Sequence, residues 1–167
     1  MGQVNSNSDD KSRLKYTIGV ISDTHGMERS EVFESLRGVD RIIHAGDIGG
    51  QEVLESLRDI APVTAVKGNM DRGAWAGSLA VSEAVEIGGV WLYVIHDLQK
   101  LDLDPIASGF SAVIFGHSHS PYEGLEDGVL LVNPGSAGPK RFHLPVSLAF
   151  LDIDKQVVKT RFVKFKI

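Results

Sequence analysis

Hydrophobic positions fall into short runs rich in valine and isoleucine, separated by turn residues such as glycine and aspartate. Runs of this length and composition predict β-strands. The first runs are apolar throughout, which is typical of strands covered on both faces. The pattern predicts ten strands: Tyr16–Ser22, Arg41–Ala45, Val63–Val66, Ala84–Ile87, Val90–Ile95, Ala112–Phe115, Tyr122–Leu125, Val129–Val132, Val146–Ile153 and Val157–Lys166.

Two segments of nearly identical sequence, Glu31–Gly38 and Glu52–Asp59, cluster their apolar residues on one face at helical spacing. The glycine that ends the first segment can cap its helix. A third, short helix is predicted with Asp104 as N-cap, Pro105 in the first position and Gly109 at its end.

Composition bounds the class of protein. The chain has 167 residues, of which 43% are hydrophobic and 23% charged, and its formal net charge is −5. The acidic balance argues against a basic groove for nucleic acid, so we expect no stable nucleic-acid binding. No apolar run reaches membrane-spanning length and no signal peptide precedes the strands, so we expect a cytoplasmic protein without membrane association. The absence of cysteine excludes disulfides and thiolate ligands.

The chain is expected to divide into a disordered polar leader, residues 1–15, and a single domain, residues 16–167, which contains no linker. Met1 to Ser6 also fits the short N-myristoylation pattern with glycine in second place. We favour the unmodified leader, because so short a pattern occurs by chance.

Metal-binding side chains follow five of the predicted strands at the points where the strands end. In open α/β sheets this edge is where ligands bind. Carboxylate, amide and imidazole donors without thiolate suit Mn²⁺, Fe, Zn²⁺ or Ni²⁺. The donors outnumber what one ion usually takes, so two ions sharing a bridging carboxylate explain them better, and such a pair can clamp a phosphoryl group. The seven donors are Asp23, His25, Asp47, Asn69, His96, His117 and His119.

Each motif alone has an ordinary structural explanation. Asp-x-His and Gly-Asp sequences are common turns or helix caps, and Gly-Asn is a frequent left-handed turn. The pair His117 and His119 is more specific, because alternate residues of a strand point to the same side. The order of all the motifs at strand ends is what favours a shared site.

The same residues resemble a known family. The series Asp23-x-His25, Gly46-Asp47, Gly68-Asn69-x-Asp71, His96 and Gly116-His117-x-His119 is similar to the calcineurin-like metallophosphoesterase superfamily. The short length and the segment Asn133-Pro-Gly-Ser136 resemble its small YfcE-like phosphodiesterase branch, and the resemblance covers roughly residues 16–165. It implies an α/β fold, a four-layer αββα sandwich of two mixed β-sheets flanked by helices.

The resemblance also implies roles for the residues. One ion would be bound by Asp23, His25 and His119, the second by Asn69, His96 and His117, and Asp47 would bridge them. The ions would be Mn²⁺, with Fe, Ni²⁺ or Zn²⁺ as alternatives. A bridging hydroxide would attack a small phosphodiester in line. Asn69, Asp71 and His96 would take part in catalysis, Asp71 by orienting groups beside the leaving oxygen. Family members tend to form dimers or tetramers, so a homo-oligomer is a further expectation.

Two positions depart from the family pattern. Asp97 stands where many members have glycine, and its carboxylate either supports a ligand imidazole or lies in a solvated loop. Met70 stands where many members have histidine, which puts the general acid in question. Among the other polar residues, we interpret His44 as structural. Arg141 either meets a substrate phosphate or lies in an exposed loop with Lys140 and His143.

The main alternative from another class is a non-catalytic metal-binding scaffold or interaction protein of the same fold, with an impaired metal site. The complete donor set favours the enzyme. A metal-dependent nuclease is a second alternative, against which the acidic net charge and the lack of an added DNA-binding domain count. A regulator that binds metal without turnover is left open.

Overall fold

The computed structural model describes residues 15–167. Residues 1–14 of the predicted leader, and with them the myristoylation pattern, lie outside the described residues. The leader's last residue, Lys15, begins the first strand instead, because it pairs in register with Asp154.

Every predicted strand is present, with ends that differ by no more than two residues from the prediction. The strands are β1 (Lys15–Ile21), β2 (Arg41–His44), β3 (Val63–Ala65), β4 (Ser82–Ile87), β5 (Val90–Ile95), β6 (Phe110–Ile114), β7 (Tyr122–Glu126), β8 (Val129–Asn133), β9 (Val146–Asp154) and β10 (Val157–Phe165). The two predicted longer helices are also present, as α1 (Ser30–Ser35) and α2 (Gln51–Arg58). Among residues 15–167, no helix is long and apolar enough to span a membrane.

The strands form two mixed five-stranded sheets, as the family resemblance implies. The first has the order β10-β9-β1-β2-β3, and the second has the order β4-β5-β6-β8-β7. In the first sheet β1, β2 and β3 are parallel, and in the second β5, β6 and β8 are parallel. The carboxyl ends of the parallel strands therefore lie together at one edge of each sheet.

The two sheets pack face to face through a buried apolar layer. Ile18 and Ile43 of the first sheet and Leu92 and Ile114 of the second are fully buried in it. On the outer face of the first sheet, α1 and α2 cover a second buried cluster that includes Leu57. Burial on both faces explains why the parallel strands are largely apolar.

The third predicted helix is wrong. Residues 105–109 form hydrogen-bonded turns. The predicted cap does form, since the Asp104 carboxylate accepts hydrogen bonds from the amides of Ile106 (3.0 Å) and Ala107 (3.3 Å). However, Gly109 takes a φ of 80° and β6 begins at Phe110, so the chain turns into the sheet before a helix can extend.

The outer face of the second sheet is consequently covered by short turns. A 3₁₀ helix at Leu98–Lys100 begins this segment, and Leu101 and Leu103 continue it. These leucines pack against a buried cluster of the sheet that includes Tyr93 and Phe115. The fourth layer of the sandwich is thus thin, and the loop between β5 and β6 forms it.

Candidate metal centre

The loops after β1, β2, β3, β5 and β6 meet at the carboxyl ends of the parallel strands. Backbone hydrogen bonds of 3.0 Å join them, from the His25 amide to the Asp47 carbonyl and from the Gly116 amide to the His96 carbonyl. The structure brings together all seven predicted ligands: Asp23, His25, Asp47, Asn69, His96, His117 and His119.

A first cluster consists of Asp23, His25 and His119. The two imidazole Nε2 atoms are 3.2 Å apart, and Asp23 Oδ1 lies 3.3 Å from His119 Nε2 and 3.8 Å from His25 Nε2. Burial lowers the pKa of His25, although Asp47 and Asp23 act to raise it. His25 is therefore neutral at pH 7 and can offer a lone pair to a cation.

Asp23 itself has an unusual environment. The residue is fully buried, and its Oδ2 accepts a hydrogen bond of 3.1 Å from the His117 amide. Its Oδ1 accepts none from any group between residues 15 and 167. A buried carboxylate oxygen without a partner costs on the order of 1–3 kcal/mol or more, which a bound cation would offset.

A second cluster consists of Asn69, His96 and His117. Asn69 Oδ1 lies 3.0 Å from His96 Nε2 and 3.2 Å from His117 Nδ1. His96 Nδ1 lies 2.7 Å from the Ala45 carbonyl oxygen. A carbonyl oxygen can only accept, so Nδ1 carries a proton and Nε2 is the nitrogen that faces the cluster, where it would offer its lone pair to a cation once it is deprotonated.

Asp47 lies between the two clusters. Its Oδ2 is 3.8 Å from His25 Nε2 on one side and 3.4 Å from His96 Nε2 on the other, while Oδ1 accepts a hydrogen bond of 2.8 Å from the Met70 amide. Burial acts to raise the pKa of Asp47, but hydrogen bonds from His96 and Met70 outweigh it and the pKa is lowered. Burial also acts to lower the pKa of His96, yet its hydrogen bond to Asp47 prevails and raises it. The surroundings of Asp47 and His96 thus favour a bound proton. They would favour a divalent cation more strongly, because it carries twice the charge.

The donors fit divalent ions in spacing as well as in chemistry. Donor atoms that each lie about 2.0–2.2 Å from one ion are roughly 3.0–3.6 Å from each other. The closest donor pairs within the two clusters are 3.0 to 3.3 Å apart. Asp23 and Asp47 also lie together with His96 in a group whose donor atoms are within 4.8 Å of one another. Both carboxylates are therefore near the junction, and Asp47 is the one with imidazoles on either side.

Five of the seven donors occupy left-handed backbone conformations, with φ between 48° and 71°. Such conformations are uncommon for residues other than glycine, and they concentrate at functional sites. Neighbouring glycines allow the close approach: a Cβ added at Gly68 would overlap the backbone nitrogen and Oδ1 of Asp47. The five donors are Asp23, His25, Asp47, His117 and His119.

The placement of His117 and His119 on a strand is wrong. β6 ends at Ile114, and both histidines lie in the loop that follows, with φ values of 71° and 61°. The side-to-side alternation of a strand therefore does not apply. His119 faces the first cluster and His117 the second, which is the division that the resemblance implies.

The remaining polar residues around the centre have distinct positions. Both carboxylate oxygens of Asp71 accept backbone amide hydrogen bonds, from Gly49 (3.0 Å) and Gly68 (2.8 Å), so Asp71 braces the loops and its catalytic role stays a prediction. Asp97 caps the turn after β5 through the Gln99 amide (3.0 Å) and does not support the imidazole of His96.

The comparisons with known proteins agree with this geometry. The family model of the calcineurin-like phosphoesterase superfamily domain matches residues 16–156. The chain belongs to the calcineurin-like phosphoesterase superfamily. A probable metallophosphoesterase of Methanocaldococcus jannaschii is 42% identical over 132 residues, which cover 71% of this chain and 67% of that protein. A phosphodiesterase of the same archaeon is 27% identical over 158 residues, which cover 83% of this chain and 94% of that one.

A solved structure extends the comparison. Vps29 of Entamoeba histolytica, in complex with Zn²⁺, matches with a TM-score of 0.69 and 24% identity, over 90% of this chain and 99% of that one. At this level of identity the likeness shows the fold alone. The family model confirms the metallophosphoesterase family, and the observed sandwich of two mixed sheets confirms the fold that the resemblance implies.

In this superfamily member, Thr24 and His44 hold the first loop in place, of which the sequence singled out only His44, as a structural residue. Thr24 is fully buried, and its hydroxyl donates to the Ile48 carbonyl (2.7 Å) and lies 2.9 Å from His44 Nε2. His44 Nδ1 accepts from the Gly46 amide (3.2 Å), and burial lowers the pKa of His44 to about 3. The neutral His44 thus links the loops that carry Asp23 and Asp47. No sequence signal marks Thr24, because a threonine in a turn is common.

The segment after β8 supports the same loops. Asn133 Nδ2 donates to the Gly116 carbonyl (2.9 Å), and the Ser136 hydroxyl donates to the Asp23 carbonyl (3.2 Å). These bonds give a physical role to the Asn-Pro-Gly-Ser segment, which the sequence marked only by resemblance. Arg141, by contrast, lies exposed, and its charge is one of the lesser influences on His25.

Proposed function

We propose that this protein is a phosphodiesterase that binds two divalent metal ions and hydrolyses small phosphodiesters. The observation that carries the proposal is the pair of adjoining donor clusters with the Asp47 carboxylate between them. Mn²⁺ is the first ion to test, with Fe, Ni²⁺ and Zn²⁺ after it. A cytoplasmic location and a homo-oligomer remain parts of the proposal.

When bound, two such ions would lower the pKa of a coordinated water and neutralise charge on the phosphoryl group. The protein's contribution is to hold the donors in place. Asp23, His25 and His119 would hold one ion, Asn69, His96 and His117 the other, and Asp47 both. The Ala45 carbonyl fixes the tautomer of His96. Asp71 keeps the loop that carries Asn69 in position through the Gly68 amide.

A non-catalytic scaffold is the second candidate, and the likeness of fold to Vps29 is what favours it. The two candidates differ in whether metal binding leads to turnover. The presence of every predicted donor in the two clusters supports the enzyme.

The test is hydrolysis of bis(p-nitrophenyl) phosphate by protein loaded with Mn²⁺, compared with hydrolysis of p-nitrophenyl phosphate. We expect the diester to be preferred, and activity to disappear with a chelator and return with added metal. His119→Ala should lower kcat/KM by more than about 100-fold. Loss of a residue that only hydrogen-bonds to a metal ligand typically costs about 10–100-fold, and loss of a ligand itself should cost more. His143→Ala, which changes an exposed histidine outside the clusters, is the matched control. A fully metal-loaded protein without turnover would instead support the scaffold.

A further inference from the structure

A cleft with a volume of about 370 Å³ opens beside the second cluster. Asn69 and His96 are among the residues that line it, so the cleft adjoins the second cluster and a molecule bound there could reach into it. Val81 and Ile95 contribute apolar surface. The cleft is therefore the place available to one arm of a substrate whose phosphate lies at the two clusters.

Three cationic side chains line this cleft: Lys67, Arg72 and Lys100. They come from two of the three loops that carry the second cluster, those after β3 and β5. Lys67 and Arg72 flank the segment with Asn69, and Lys100 ends the turn that follows His96. Lys67 is half-buried and the other two are exposed.

Within residues 15–167, these cations have no anionic partner of their own. None of the three forms an ion pair within the part of the chain that the structure describes, unlike Lys15, Arg37 and Arg161. The two carboxylates in the cleft are occupied by backbone amides, Asp71 by those of Gly49 and Gly68, and Asp97 by that of Gln99. These hydrogen bonds leave both carboxylates charged, so three cations against two anions give the cleft an excess of one positive charge, in a chain whose net charge is −5.

We propose that the cleft selects phosphate esters that carry a second anionic group, a carboxylate or a further phosphate, on a short hydrocarbon arm. The inference rests on the proposed function, since it takes the first phosphate to bind at the metal centre. The apolar surface of Val81 and Ile95 suits the hydrocarbon part of the arm, and the three cations suit its charged end. Lys67, Arg72 and Lys100 are thus specificity-determining residues rather than catalytic ones.

Binding of small phosphonates tests the cleft without turnover. Propylphosphonate and 3-phosphonopropanoate have arms of similar length, and only the second has an anionic end. Calorimetry with the Mn²⁺-loaded protein gives the ratio of their dissociation constants. We expect the carboxylate probe to bind about tenfold more tightly, which is 1.4 kcal/mol. Ethane-1,2-diylbisphosphonate, as a third probe, tells whether a second phosphate group is preferred to a carboxylate.

Charge-removing variants assign the preference to the cleft. Arg72→Gln and Lys100→Gln should each lower the ratio roughly two- to fivefold, as expected for exposed ion pairs. The triple variant with Lys67→Gln should bring it to about one, since no cation then remains. Lys159→Gln removes the same charge from β10, outside the cleft, and should leave the ratio unchanged.

The outcomes separate this inference from the proposed function. A ratio near one in the unmodified protein, or a ratio that survives the triple variant, would overturn the inference even if diesters are hydrolysed. Discrimination that depends on the three cations, in a protein that hydrolyses no diester, would uphold the cleft and overturn the phosphodiesterase. Binding of none of the probes would overturn the inference, and hydrolysis of the diester would still decide the proposed function.

Discussion

Replacement of His44 by glutamine tests how the two loops of the first cluster are held. His44 is fully buried, with Nδ1 accepting from the Gly46 amide and Nε2 beside the Thr24 hydroxyl. Glutamine is uncharged at every pH and keeps an amide donor for Thr24. At neutral pH we expect the free energy of unfolding to fall by about 1–3 kcal/mol, because the buried Gly46 amide loses its acceptor.

The pH dependence gives the sharper magnitude. The pKa of His44 is about 3 in the folded protein, and that of an unfolded histidine is about 6.5. Because the unfolded chain takes up the proton first, the stability that neutral His44 contributes is fully present above pH 6.5 and is lost as the pH falls towards 3. Between pH 7.5 and 5 the wild-type protein should lose about 2 kcal/mol from this one group. His44→Gln should show no such loss. The difference in free energy of unfolding between wild type and His44→Gln should therefore shrink by about 2 kcal/mol over this pH range.

Urea denaturation of metal-free protein at several pH values measures this difference. Other groups, such as His25 with its lowered pKa, titrate in both proteins and cancel in the comparison. His143→Gln is the control: the exposed histidine should leave the pH profile of stability unchanged. Parallel profiles for wild type and His44→Gln would refute the view that a neutral, buried His44 joins the loops.

Two further predictions concern the loop of the second cluster. The thioether of Met70 has no proton to donate to a leaving oxygen, so Met70→His should raise kcat/KM for an alkyl diester relative to an aryl diester. A well-placed general acid would change this ratio by up to roughly 10²–10⁴-fold. An unchanged ratio at equal metal content would reject the missing-acid interpretation. Gly68→Ala should abolish activity and weaken metal binding, because the new Cβ would overlap Asp47. The control Gly77→Ala should be tolerated, since nothing lies within 4 Å of the added atom. Comparable activity of the two variants would contradict the close packing of Gly68 against Asp47.

Sequence patterns predicted the strands well, because most parallel strands are largely buried and contain mainly apolar residues. They also predicted which side chains meet, because β1, β2 and β3 are parallel and their carboxyl ends share an edge. The helix at Asp104 was wrong because an N-cap and a proline specify how a helix starts, whereas the length available before β6 depends on the tertiary fold.

The finer geometry of the centre depends on backbone conformations that the sequence does not mark. His117 and His119 diverge only because both take positive φ values after the end of β6. The same holds for Asp47, whose position between the clusters requires a φ of 54° and the absence of a side chain at Gly68. His44 could be recognised as structural, but its partner Thr24 belongs to another loop, and only the fold brings the two together.

The metal content of Asp47→Ala tests the two-ion centre most directly. Mass spectrometry of protein equilibrated with Mn²⁺ should give about two equivalents per chain for the wild type, and His25→Ala should lose mainly one. Asp47→Ala should fall below both, because its Oδ2 lies between His25 and His96 and would serve each ion. Asp154→Ala, which removes an exposed carboxylate at the end of β9, should keep both ions. Two full equivalents in Asp47→Ala would contradict the bridging carboxylate.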